Sequence, residues 1–62
     1  MSEVHHVYVV QQGSSNTFEV SDENAWYLLR ETWQGARLLD TQIVSKHLTR
    51  EDALEAKARA ER

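Results

Sequence analysis

The sequence predicts an α+β fold in which three antiparallel strands form a meander and one C-terminal helix crosses it (βββα). Three features predict this fold: an alternating, β-rich N-terminal segment, a hairpin pattern around Gly35 and a capped C-terminal helix. The chain has 62 residues, which is enough for a single small domain spanning 1–62.

The first strand is predicted over Val4 to Val10. Valine, tyrosine and histidine alternate there, so that even-numbered residues share one face of the strand and odd-numbered residues share the other. The hydrophilic stretch from Gln11 to Asn16 follows, and its composition is typical of a turn or loop.

Residues 22–34 allow two interpretations. As a helix they would be capped by Ser21 and ended by Gly35, which gives the alternative fold ββαβα with a helix at 22–34. As a hairpin they would turn through a three-residue loop, Trp33-Gln34-Gly35. That register sets Glu31 opposite Arg37, Leu29 opposite Leu39, Tyr27 opposite Thr41 and Ala25 opposite Ile43.

We favour the hairpin, because opposite charges and matched apolar pairs stabilise neighbouring strands. It predicts a second strand from about Ala25 to Thr32 and a third from Ala36 to Lys46.

The C-terminal helix has the clearest start signal. Thr49 and Asp52 are spaced as in a capping box, with Asp in place of the usual Glu or Gln. Ala53, Ala56 and Ala60 form a stripe of small residues, which would let the helix lie close to a sheet.

Several of these elements together resemble a known group of small domains. They are the opening strand His6–Val10, the strand that Trp26 begins, the Gly35-Ala36-Arg37 turn and the alanine-rich helix after Thr49. In these respects the chain resembles small uncharacterised bacterial and phage βββα domains of unknown function. The resemblance implies a fold and brings no activity with it.

Composition narrows the classes of function. The chain has no Cys, and 7 basic against 10 acidic residues give a net charge of −3. An acidic balance disfavours sequence-independent binding to a phosphate backbone. The N-terminal segment has neither a basic region nor a long apolar stretch, so we expect no signal peptide or membrane span and a cytoplasmic location.

No residue pattern predicts catalysis. His5 and His6 are neighbours on a strand and point to opposite faces, and His47 is the third imidazole. No serine lies in a Gly-x-Ser-x-Gly or Ser-x-x-Lys motif, and no glycine belongs to a phosphate-binding loop. We therefore expect a protein without catalytic residues, metal or cofactor.

The aromatic residues suggest an interface. Trp26 is the leading candidate for the core, and Phe18 is another aromatic residue available to it. One helix can cover only one face of a three-stranded sheet, so we expect apolar side chains in water on the other face, with Trp33 exposed at the hairpin tip. The candidate interface residues are Trp33, Tyr8, Tyr27 and Leu38.

These features predict a non-enzymatic protein-interaction module that self-associates, most simply as a homodimer, and binds a protein partner. An accessory or inhibitor protein of a phage or mobile element would fit. The alternative is a nucleic-acid-binding module that uses the sheet face or the hairpin. Its candidate contacts are Arg30, Arg37, Lys46 and Arg50, although the predicted register points Arg30 and Arg37 to opposite faces.

Overall fold

The computed structural model describes residues 3–15 and 22–62, apart from the side chain of Ser15. Its elements are β1 (Val4–Gln12), a single 3₁₀ turn (Gly13–Ser15), β2 (Trp26–Gln34), β3 (Arg37–His47) and α1 (Arg50–Ala60). The predicted βββα fold is confirmed, and the alternative with a helix at 22–34 is wrong, because residues 26–34 form the middle strand. The predictions for Phe18 and Ser21 fall outside the described residues.

The three strands form an antiparallel sheet in the order β1-β2-β3. Each strand therefore pairs with the next along the chain, and β2 has a neighbour on both sides. Within the described ranges, β1 and β3 each have a strand on one side only. No strand of the described part of the chain pairs with the backbone groups along their outer edges.

The β2–β3 turn is tighter than the sequence predicted. Gln34 pairs with Arg37, so the loop consists of Gly35 and Ala36 alone. Gly35 has φ 58°, whereas Ala36 keeps a negative φ. Glycine at the first loop position is typical of the II′ turn, whose twist matches that of the flanking strands.

This turn changes the predicted register. Glu31 lies opposite Thr41 instead of Arg37, and Leu29 lies opposite Ile43 instead of Leu39. Tyr27 lies opposite Lys46, and Ala25 precedes β2. The two-residue loop shifts the pairing because it keeps both Trp33 and Gln34 within the ladder.

Two β-bulges interrupt the β2–β3 ladder. The register shifts between Thr32 and Trp33 and again between Leu28 and Leu29. In each case β3 carries one extra residue without a partner, and these extra residues are Leu39 and Val44. By contrast, β1 pairs with β2 over nine consecutive residues without a shift.

The sheet has two different faces. A cleft beside α1 is lined by helix residues together with His47, which places His47 on the side of the helix. His47 pairs with Trp26, so the even-numbered residues of β2 make up what we call the helix face. The odd-numbered residues from Tyr27 to Trp33 make up the opposite face, which we call the distal face.

Both faces contribute to the core. Leu28 on the helix face and Leu29 on the distal face are each 1% exposed, and Ala53 of α1 is fully buried. Tyr27 and Leu29 form a buried cluster with Ala25. The expectation that the face away from the helix stands in water is therefore wrong for the part of that face around Tyr27 and Leu29.

The described ends of the β1–β2 connection lie beside this buried part of the distal face. The amide of Gly13 donates to the carbonyl oxygen of Ala25 at 2.8 Å, and the amide of Asp22 donates to the Tyr27 hydroxyl at 3.1 Å. Gly13 is itself buried. These contacts fasten both ends of the connection to the start of β2.

The helix begins as the sequence predicted. Thr49 has an extended backbone, and its hydroxyl oxygen accepts a hydrogen bond from the Asp52 amide at 3.2 Å. Of the predicted alanine stripe, Ala53 is buried and both Ala56 and Ala60 are half-buried. No helix within the described residues is long and apolar enough to cross a membrane.

Candidate interaction surface

The structure separates the four predicted interface residues. Trp33 and Leu38 are partners in the ladder and lie together on the distal face near the hairpin tip. Tyr8 is half-buried on the helix face, opposite Arg30. Tyr27 is only 3% exposed, so its ring belongs to the core and is not available to a partner. Trp33 and Leu38 therefore remain as a pair.

The two tryptophans have similar burial, contrary to the prediction that one fills the core and the other lies exposed. Trp26 and Trp33 are both half-buried. The indole Nε1 of Trp33 donates to the Glu31 carboxylate at 3.2 Å, because residues two apart on a strand share a face. Trp33 thus combines a partly exposed ring with a satisfied polar group.

The largest concentration of exposed apolar side chains lies on β3. We call this set the β3 band, and its exposed fractions are 44% for Leu38, 45% for Leu39, 45% for Ile43 and 49% for Val44. Leu48, just after the strand, is 83% exposed. The four side chains form two exposed doublets on one edge strand, a higher local density than the isolated exposed apolar residues that are normal on proteins.

Of the β3 band, the sequence prediction named only Leu38. A signal was present in the two apolar doublets Leu38-Leu39 and Ile43-Val44, since neither doublet fits strict alternation on a half-buried strand. In the structure each doublet contains one bulge residue. A break in alternation on an edge strand can thus indicate a bulge with an exposed apolar residue.

The outer edge of β1 is the second exposed feature. Residues 4–7 are exposed, whereas residues 8–12 are half-buried. Val4 is 54% and Val7 is 39% exposed. The strand contains no charged residue, since its sequence is Val-His-His-Val-Tyr-Val-Val-Gln-Gln.

The candidate nucleic-acid contacts do not form a patch. Arg30 and Arg37 lie on the same face, contrary to the predicted register, because Arg37 pairs with Gln34. Arg30 donates to the Gln42 side chain at 2.6 Å. Lys46 lies on the distal face, 3.9 Å from the Asp22 carboxylate, and Arg50 begins α1. The four cations are therefore spread over both faces and the helix.

The nearest arrangement to a catalytic group is the pair of Ser45 and His47. Ser45 Oγ lies 2.7 Å from His47 Nε2, because a Ser-x-His sequence on a strand places both side chains on one face. His47 lines the cleft of about 160 Å³ beside α1, with Asp52, Glu55, Ala56 and Arg59. Ligand pockets typically have about 300–1,000 Å³, so this cleft is small.

A catalytic triad would also need an acid beside His47. Within residues 3–15 and 22–62, no carboxylate lies within 4.0 Å of the His47 nitrogens. The same part of the chain holds no cluster of three metal-ligating side chains. His5 and His6 face opposite sides of the sheet, and His6 Nδ1 lies 3.1 Å from the Thr32 hydroxyl. Among the described residues, the Ser45–His47 pair is thus a hydrogen bond on the helix face without an orienting acid.

Taken together, these features define a small α+β domain whose most distinctive surfaces are an apolar band on one edge strand and an uncharged second edge. Comparison with protein-family models, curated proteins and solved structures found no match to this chain. The resemblance to bacterial and phage βββα domains therefore remains a prediction.

Proposed function

We propose that this chain is a non-enzymatic protein-interaction module that binds a protein partner and also self-associates. The observation that carries the proposal is the β3 band, defined above as Leu38, Leu39, Ile43 and Val44. Exposed apolar side chains concentrated on one edge strand of a small domain often mark a contact surface, because their burial in a complex releases ordered water.

The dimensions of the domain support the proposal. Its radius of gyration is 12.2 Å. A compact domain of this length would have about 10.6 Å. Its accessible surface is 4585 Å². A monomer of its mass typically exposes about 4,100 Å². The chain thus exposes somewhat more surface than a compact monomer of its mass, which leaves area for a partner to cover.

The position of the band also suits a protein partner. It lies on an edge strand, where a partner can reach the side chains from the outer edge as well as from the faces of the sheet. Trp33 lies beside Leu38 on the distal face, and partly exposed tryptophan is enriched at interfaces. A partner that contacts Leu38 would therefore also meet the indole ring.

Site-specific photo-crosslinking tests the proposal in the native host. A photoreactive amino acid at Leu39 lies within the band, and one at Glu51 is a control because Glu51 is exposed on the first turn of α1. We expect a discrete adduct from position 39 that is absent from position 51. The purified adduct protein should then bind the wild-type chain, and a charge in the band, Leu39→Lys, should weaken that binding.

Two results would contradict the proposal. Equal adducts from both positions would show that the band has no preferred partner. A purified adduct protein that binds wild-type chain and the Leu39→Lys variant equally well would show that the band is not the contact surface.

A further inference from the structure

The two edges of the sheet differ in how they are protected against pairing with another strand. Natural edge strands are protected by bulges, charged side chains or proline. β3 has both bulges of the sheet and three charged residues, Arg37, Asp40 and Lys46. β1 has a straight nine-residue ladder, no proline and no charged residue. Its outer edge is therefore the one suited to accept a strand.

We propose that two copies of this chain pair through their β1 strands, antiparallel about a two-fold axis at Tyr8, and so form one six-stranded sheet. The inference rests on the proposed function, whose self-association it assigns to a particular edge. Antiparallel pairs alternate between those that exchange two backbone hydrogen bonds and those that exchange none. Nine paired positions therefore supply about eight to ten new hydrogen bonds.

The proposed register is self-complementary. It sets Tyr8 opposite the same residue of the second copy, Val7 opposite Val9, and His6 opposite Val10. Aromatic and β-branched neighbours of this kind stabilise antiparallel strands. In this register, two facing residues, one from each copy, have numbers that add to 16. Even-numbered residues therefore face even-numbered residues of the second copy. Each side chain keeps its face, and the two α1 helices lie on the same side of the joined sheet.

The charge pattern favours a second copy as the occupant of this edge. Any symmetric pair places identical strands side by side, so a charged strand tends to oppose its own charges. β1 avoids this conflict because it has no Asp, Glu, Lys or Arg. The pair would also shield Val4 and Val7, the two exposed apolar side chains of β1.

The first test uses the unmodified chain. In NMR spectra recorded from micromolar to millimolar protein concentration, the amide chemical shifts of residues 4–12 should change with concentration. The amides of β1 that point outward should become slower to exchange, while those along the outer edge of β3 stay unchanged. Shifts confined to β3, or a strict monomer at every concentration, would overturn the inference.

Matched charge variants provide the second test. Val7→Lys places a charge in β1, and Leu38→Lys places the same charge at a residue of similar exposure in β3. We expect Val7→Lys to lower the association constant about tenfold or more, and Leu38→Lys to change it less than about threefold. Circular dichroism verifies that both variants remain folded. The reverse order of effects would place the contact on β3.

Two additional variants extend the test, and the second of them, Tyr8→Cys, does not depend on the folding of Val7→Lys. Mixing Val7→Lys with Val7→Glu should restore association, because these positions are diagonal neighbours across the axis, about 7–8 Å apart. Tyr8→Cys introduces the only cysteine, which should form a disulfide-linked dimer under mild oxidation since facing strand residues have suitable Cα spacing. No restored association and no covalent dimer would overturn the inference.

The outcomes separate this inference from the proposed function. A dimer that tolerates Val7→Lys but is lost in Leu39→Lys would disprove pairing through β1 and keep the chain as an interaction module. A strict monomer would also disprove pairing through β1. The crosslinking from position 39 would then decide independently whether the β3 band binds a protein partner.

Discussion

Leu29 offers the sharpest test of how the sheet is covered. It lies on the distal face, away from α1, and only 1% of it is exposed. Leu29→Ala should therefore cost as much as a core truncation, about 2–5 kcal/mol. A chain of 62 residues has a total stability of about 3–9 kcal/mol, so the variant loses a large share of it.

The matched control is Ile43→Ala. Ile43 lies directly opposite Leu29 on the same face and is similar in size, but it is 45% exposed. Truncation there should cost about 1 kcal/mol or less, because much of the side chain is already in water. Leu28→Ala gives the reference for the helix face, since Leu28 is also 1% exposed.

Urea denaturation followed by circular dichroism measures these differences. The slope for a small domain is about 1 kcal/mol per M, so a loss of about 2 kcal/mol lowers the midpoint by about 2 M. All variants should be compared at one protein concentration, because association itself shifts stability. If Leu29→Ala changed the free energy of unfolding no more than Ile43→Ala does, the distal face would not be packed there and our account of the core would be wrong.

Three other predictions follow from local geometry. Gly13→Ala should destabilise the domain by about 1–3 kcal/mol, because the added methyl group would lie only 2.9 Å from the Cα of Glu23. An unchanged thermal unfolding temperature would contradict this prediction. Thr49→Ala should cost about 0.5–2 kcal/mol by removing the bond to the Asp52 amide, whereas Thr49→Ser should retain most of the stability in the same melt. Gly35→Ala should lower the free energy of unfolding by about 1 kcal/mol, because Gly35 has a φ of 58° that alanine rarely adopts. In urea titrations Gly35→Asn should lower it less. Equal losses for the two variants would mean that φ is not the cause.

The first strand, the turn and the helix follow from local chemistry, whereas residues 22–34 were compatible with a helix as well as a strand. The alternation that starts at Val4 predicts a strand, and the spacing of Thr49 and Asp52 predicts a cap. Gly35 predicts a turn that requires a positive φ. These signals are local, because each depends on a few neighbouring residues whose backbone preference persists in the folded chain.

The register of the hairpin could not be derived in the same way. A loop of two or three residues is compatible with glycine at position 35, and the choice moves every cross-strand pair. The bulges at Leu39 and Val44 shift the pairing again, and they depend on how the whole ladder accommodates the sheet twist. The two-residue loop, which pairs Arg37 with Gln34, is the reason that Arg37 shares a face with Arg30, contrary to the sequence prediction.

The sequence by itself favoured the observed fold class over one alternative, and it determined the sites of the turn and the helix cap and the absence of charge from β1. Only the tertiary structure decided that Tyr27 lies in the core, that Leu29 is buried away from α1, and that the exposed apolar side chains gather on β3. The physical reason is that burial depends on which segments approach a side chain from elsewhere in the chain. Neighbouring residues cannot specify that approach, whereas they do specify backbone preference.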